Sequence, residues 1–231
     1  MKEEKPYSIN EYFKIFLKVA TSKKDAYENP ILYEGFTNLV YGREKVADDI
    51  CSLFGKYLPA EPDFKTTILE EASGPGVLAI KLARNGYRVI ATDIEPKALE
   101  RIEEKNQENL PIYPVSADIN NVIPIRDNCV DGAIIVSANR YIEDIDMFLS
   151  EIRRVLKPNG IFIWPFNFAG SLLWKIKSGA NLPTSQRSIV SVLESKNFEV
   201  LSKDKVPRIK RDTESKIPFY AIPTYLISKK V

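Results

Sequence analysis

The sequence predicts an α/β fold: a doubly wound, mostly parallel seven-stranded sheet with an antiparallel last strand, preceded by an N-terminal helical cap. Three observations predict it. Apolar residues recur at helical spacing through the first sixty residues, and from Thr66 the pattern changes to short β-rich runs alternating with amphipathic stretches. Such alternation requires parallel neighbours, because a parallel pair must be joined by a crossover. The last two β-rich runs follow each other with no helix between them, so they pair antiparallel. The expected division is a cap over residues 1–62 and a sheet domain over 63–231.

Each element has its own local cause. Ser8 and Glu11 form a capping box, and Ile9, Tyr12, Phe13, Phe16, Leu17 and Ala20 then share one helical face. Arg43 to Tyr57 is a second amphipathic helix with Val46, Ile50, Leu53, Phe54 and Tyr57 on one face, ended by Pro59 and Pro62. The aromatic segment Tyr27 to Tyr41 between them has no clear periodicity. Thr66–Glu70 is the first strand; a glycine turn leads into a helix over Val77–Asn85. Tyr87–Thr92 is the second strand, with Asp93 at its end, and Pro96 opens the following helix, a position that suits proline. Pro111–Ser116 and Val130–Val136 are the third and fourth strands. A helix over Ile142–Leu156 is stopped by Lys157-Pro158-Asn159-Gly160, and Ile161–Phe166 is the fifth strand. A helix over Ser185–Lys196 then precedes strands at Phe198–Val206 and Tyr220–Ser228.

Composition removes several chemistries. The 231 residues include no histidine, which excludes Ser-His-Asp and Cys-His nucleophiles, His-ligated zinc and an imidazole base. Cys51 and Cys129 form no C-x-x-C pair, so no metal site is expected. Thirty-three basic against 31 acidic residues leave a net charge of +2, too balanced for a nucleic-acid partner. The basic residues from Lys203 to Arg211 are interrupted by Asp204, as in a solvated loop. Ile161 to Trp174, the most apolar stretch, is broken by Pro165 and Gly170 and falls short of the ~20 residues a membrane span needs. With no signal peptide apparent, no membrane partner and a cytoplasmic location are expected.

The central motif is Ile68-Leu69-Glu70-Glu71-Ala72-Ser73-Gly74-Pro75-Gly76, a strand entering a glycine turn and then a helix. Glycines there let the backbone approach a ligand and leave helix N-terminal amides facing it. Gly74-x-Gly76-x-x-Ala79 also satisfies the dinucleotide fingerprint. Asp93 lies nineteen residues beyond Gly74, where a carboxylate accepts hydrogen bonds from a ribose diol. An adenosine-containing ligand is therefore expected, with two nucleotide classes open.

From Thr66 to the C-terminus the chain resembles the class I S-adenosylmethionine-dependent methyltransferases, in particular the methyltransferase-domain group with small-molecule acceptors. Glu70 to Gly76 resembles the family's first motif, with Ala72 in place of its first glycine. Asp93 resembles the ribose-binding acid, and Ser116-Ala117-Asp118 the adenine site, where Asp118 would accept from the exocyclic amine and the Ile119 amide would face the ring. Ile123 to Asp131 resembles the entry to the fourth strand, and Val155 to Gly160 the "V-L-K-P-G-G" turn, with Asn159 for a glycine. The resemblance implies a Rossmann-like methyltransferase fold. S-adenosylmethionine would be the cofactor and S-adenosylhomocysteine the product. Its contacts would be Glu70, Ala72, Ser73, Gly74, Gly76, Asp93, Ile94, Asp118, Ile119 and Ser137. The activity it implies is methyl transfer by in-line displacement to an oxygen or nitrogen of a small molecule. A non-catalytic protein binding the same cofactor is an alternative. So is an NAD(P)-dependent oxidoreductase, though the helical leader and antiparallel tail do not match that class.

Many relatives end the fourth strand in "L-H-H-V-x-D"; here the residues are Asn139-Arg140-Tyr141-Ile142-Glu143-Asp144. Both imidazoles are absent, so catalysis is expected to rest on positioning. Tyr141 is the candidate to orient or deprotonate an acceptor and Arg140 to pair with an anionic one; equally, Tyr141 packs under the cap and Arg140 lies at the surface. Tyr33, Tyr41, Asn139, Arg140 and Phe166 are candidate substrate contacts, with Phe36, Trp164 and Trp174 as further wall residues.

Overall fold

A computed structural model describes residues 43–166, 185–205 and 224–231. The helix expected over Ile9–Ala20 and the segment Tyr27–Tyr41 lie outside the described residues. Helix α1 (Arg43–Tyr57) leads to β1 (Thr67–Glu71), α2 (Val77–Arg84), β2 (Arg88–Asp93), α3 (Pro96–Lys105), β3 (Ile112–Ser116) and β4 (Val130–Ile135). There follow α4 (Ile145–Val155), β5 (Leu156–Phe166), α5 (Gln186–Ser195), β6 (Phe198–Lys205) and β7 (Thr224–Lys230). The sheet has seven strands in the order β3-β2-β1-β4-β5-β7-β6. Every adjacent pair is parallel except those of β7 with β5 and β6, so β7 is the reversed strand, as the missing crossover predicts.

Strand alternation builds two cores. Ile68, Val89, Ile134 and Ile163 face α1, α2 and α3, whereas Leu69, Ala133, Phe162 and Trp164 face α4 and α5. Helix α1 shares the first core through Ala47, Ile50 and Phe54. Gly132 makes this possible: a Cβ there would stand 2.6 Å from Ile68 Cδ1 and 2.8 Å from Phe54 Cε1. Bare backbone on β4 is therefore what seats the Phe54 ring.

Of the boundaries that differ from expectation, three have a local reason. The first strand extends to Glu71, whose side chain is fully buried instead of entering the turn. Helix α4 begins at Ile145, because the Asp144 carboxylate accepts from the amides of Asp146 and Met147 and so caps it there. The preceding Asn139–Tyr141 forms a separate 3₁₀ turn. Strand β5 begins at Leu156, which pairs with Val130, while Gly132 next pairs with Ile161. Lys157-Pro158-Asn159-Gly160 is thus a bulge inside the strand, and Asn159 takes the left-handed backbone (φ 65°) that asparagine tolerates. Among the described residues, no helix is long and apolar enough to cross a membrane.

Candidate functional site

Strand order reverses between β1 and β4, and in open α/β sheets such a reversal opens a crevice beyond the carboxyl ends of the two strands. A cleft lies there. Its lining comes from Glu70 on β1 and Ala72 and Ser73 just after it, and from Val136 and Ser137 after β4, with Val77 and Leu78 at the start of α2. Val46, Ala47 and Ile50 of α1 close one side. The sequence leads one to expect a pocket over the carboxyl ends of the strands covered by the N-terminal helices, and α1 supplies these three side chains to the cleft.

The turn between β1 and α2 is wound left-handed at three residues: Ala72 (φ 53°), Gly74 (φ 55°) and Gly76 (φ 74°). Gly76 is fixed twice over, since a Cβ there would lie 2.5 Å from Ile102 Cγ1. Ala72, where the resembling family has glycine, carries the steric cost of that backbone. Ala72→Gly should relieve about 1–2 kcal/mol of strain against about 0.4–1 kcal/mol of extra unfolded-chain entropy. The net expectation is a gain of about 0.5 kcal/mol in urea unfolding, and a loss would contradict it.

Asp93 anchors this turn. Its Oδ2 accepts from the Gly74 amide at 2.7 Å and its Oδ1 from the Glu95 amide at 2.9 Å. Burial pushes its pKa up, and the Glu95 and Gly74 amides work against that shift. A carboxylate offers about four lone-pair sites, so acceptor capacity remains for a ligand diol. The Ser73 amide donates to the Thr92 carbonyl at 2.8 Å, and its buried hydroxyl has no hydrogen-bond partner. A polar atom orphaned beside a cleft fits a site completed by a polar ligand. Ile94, beside Asp93, is 62% exposed, which suits it to cover a ligand ring.

The other expected residues are placed as follows. Asp118 folds its own loop: Oδ1 accepts from the Asn120 amide at 2.9 Å and Oδ2 from Asn121 Nδ2 at 3.4 Å. The Ile119 side chain is buried in the core on the α4 side. Ser137 is exposed in a left-handed conformation (φ 60°). Asn139 is committed to scaffold, its Oδ1 accepting from Trp164 Nε1 at 2.7 Å and its Nδ2 donating to the Pro165 carbonyl at 3.3 Å. Tyr141 is half-buried and packs against the same core. Trp164 is corrected: it is fully buried against Phe162 and Phe148, on the sheet face opposite α1, and forms no cleft wall. Tyr33, Phe36, Tyr41 and Trp174 lie outside the described residues, as do the side chains of Arg140 and Phe166.

One acid that sequence reasoning passed over is Glu71. It follows Glu70 on β1 and faces the opposite side, paired in register with Ile135, and neither of its carboxyl oxygens has a hydrogen-bond partner. The neighbouring Thr92 hydroxyl donates instead to the Glu70 carbonyl at 3.3 Å. Burial pushes the Glu71 pKa up to about 7, and the charges of Asp93 and Glu151 reinforce the shift.

Comparison with known proteins bears on this architecture. A methyltransferase domain family matches residues 69–164. The ubiquinone/menaquinone biosynthesis C-methyltransferase UbiE of Acidiphilium cryptum is 32% identical over 133 residues, 53% of each chain. The 2-phytyl-1,4-naphtoquinone methyltransferase of Trichormus variabilis is 35% identical over 109 residues, 45% of this chain and 47% of that one. Thus the chain spans about half the length of these curated relatives. In fold it is similar to an S-adenosylmethionine-dependent methyltransferase from Aquifex aeolicus (TM-score 0.57, 17% identity, 84% of this chain and 93% of that one). Residues 69–164 thus match a methyltransferase domain, and the strand order and the left-handed turn after β1 agree with that match.

Proposed function

We propose that this protein transfers a methyl group from S-adenosylmethionine to a ring carbon of a small, largely apolar acceptor of the quinol type. The observation that carries the cofactor assignment is the cleft at the strand-order reversal, lined by Ser73 with its orphaned hydroxyl and by the left-handed turn that Asp93 holds. Glu70, Ser73 and the turn amides would hold the amino-acid end, Asp93 the ribose, and Ile94, Asp118 and the Ile119 amide the adenine, with Ser137 at the cleft edge. When bound, the sulfonium supplies a methyl group already activated for displacement.

For a ring carbon, the acceptor exchanges its C–H for C–CH3, and the proton passes to solvent once transfer is done; what remains for the protein is to orient the acceptor in line and exclude water during transfer, work that needs no imidazole. The apolar side chains of Val46, Ala47, Ile50 and Val136 exclude water along one side of the cleft. The expectation of an oxygen or nitrogen acceptor gives way to carbon, because one relative is a C-methyltransferase and the other a naphthoquinone methyltransferase. The test is incubation with S-adenosylmethionine and a 2-alkyl-1,4-naphthoquinol, followed by mass spectrometry and NMR of the product. A new ring C-methyl signal is expected; an O-methyl ether would overturn the carbon assignment.

A further inference from the structure

We infer that Asn120 is a positioning residue that couples the adenosine side of the cleft to the acceptor-side turn at Asn139–Tyr141; this rests on the cofactor assignment above. Asn120 sits between the two in sequence and in space. Its Nδ2 donates to the Tyr141 carbonyl at 3.0 Å, and its Oδ1 accepts from the Glu143 amide at 2.8 Å. Both ends of the amide are therefore spent on the backbone of the segment where relatives carry imidazoles.

The other side of Asn120 leads back to the cofactor residues without a break. Its own amide is held by Asp118 Oδ1, the Ala117 amide donates to the Asp93 carbonyl at 3.0 Å, and Asp93 Oδ2 takes the Gly74 amide. A ligand that engages Asp118 or the Ile119 amide thus acts on the backbone from which the Asn120 side chain projects. Across the turn, Asn139 pins the same segment to β5 through Trp164 and Pro165. With Asn139 fixing one end, Asn120 holds the other, and the segment they steady carries Tyr141. Hydrogen-bonded chains of this kind transmit order only if their links are intact, so removing the Asn120 amide should uncouple the ends.

The test uses S-adenosylhomocysteine as the probe and amide hydrogen exchange at Ile142 and Glu143 as the readout, in the full chain and in Asn120→Ala. In the wild type, binding should slow exchange at these amides by at least about fivefold. In Asn120→Ala, affinity measured by calorimetry should stay within about threefold while the slowing disappears. A merely structural role would instead lower affinity and melting temperature together. Equal slowing in both proteins, or none in a wild type that binds, would overturn the coupling alone. Failure of the wild type to bind at all would overturn the cofactor assignment and the coupling with it. Asn120→Asp, which keeps the acceptor for Glu143 but loses the donor to Tyr141, should retain part of the slowing.

Discussion

Glu71→Leu is expected to stabilise the folded protein, and by about 2–3 kcal/mol more at pH 8 than at pH 5. The carboxyl is fully buried, and its pKa rises from 4.5 to about 7 on folding. Between those values the folded chain holds a proton that the unfolded chain has released. Stability contributed by the neutral acid is therefore complete below pH 4.5, falls as pH rises, and is lost above pH 7. Leucine, close in volume and unable to ionise, removes that slope. Urea unfolding of both proteins at the two pH values measures it. Equal stability changes at pH 5 and pH 8 would show that the acid is solvated or paired in the folded chain. Glu71→Gln should remove the same pH dependence but gain less, because a buried amide without partners retains a desolvation cost.

Asp93→Ala is expected to weaken binding of S-adenosylhomocysteine by about 1.5–3 kcal/mol, roughly 10- to 150-fold, when charge-assisted bonds to the ribose are lost. The structure adds a second cost, since the same carboxylate takes the Gly74 and Glu95 amides and so holds the turn itself. Asp93→Asn keeps one oxygen acceptor and should fall between the two. Calorimetry decides the matter, and unchanged affinity in Asp93→Ala would remove Asp93 from the site. A drop in melting temperature without any change in affinity would reduce its role to holding the turn.

Much of the fold was legible because its signals are local. The apolar stripe of α1 and the prolines behind it gave that helix its observed limits, Arg43 and Tyr57. Pro96 stands at the first turn of α3, and Ser185 caps α5 through Ser188, again where the residue types demand it. The cofactor side of the site was legible for the same reason: left-handed turns select small residues, and Ala72, Gly74 and Gly76 are all left-handed. What stayed hidden depends on contacts between distant residues. Glu71 looked like the start of a turn because acids are rarely buried, yet the strand runs through it. Trp164 looked like a cleft aromatic, but its parity on β5 turns it toward Phe148. Asn120 shows no pattern at all in sequence, because its partners Tyr141 and Glu143 lie 21 and 23 residues away, beyond the end of β4.

The most direct test of the account is calorimetric titration of the wild-type protein with S-adenosylhomocysteine and, separately, with NAD. One S-adenosylhomocysteine is expected per chain, with no heat of binding from NAD. Binding of NAD alone, or of neither ligand, would contradict the assignment of this cleft to the sulfonium cofactor.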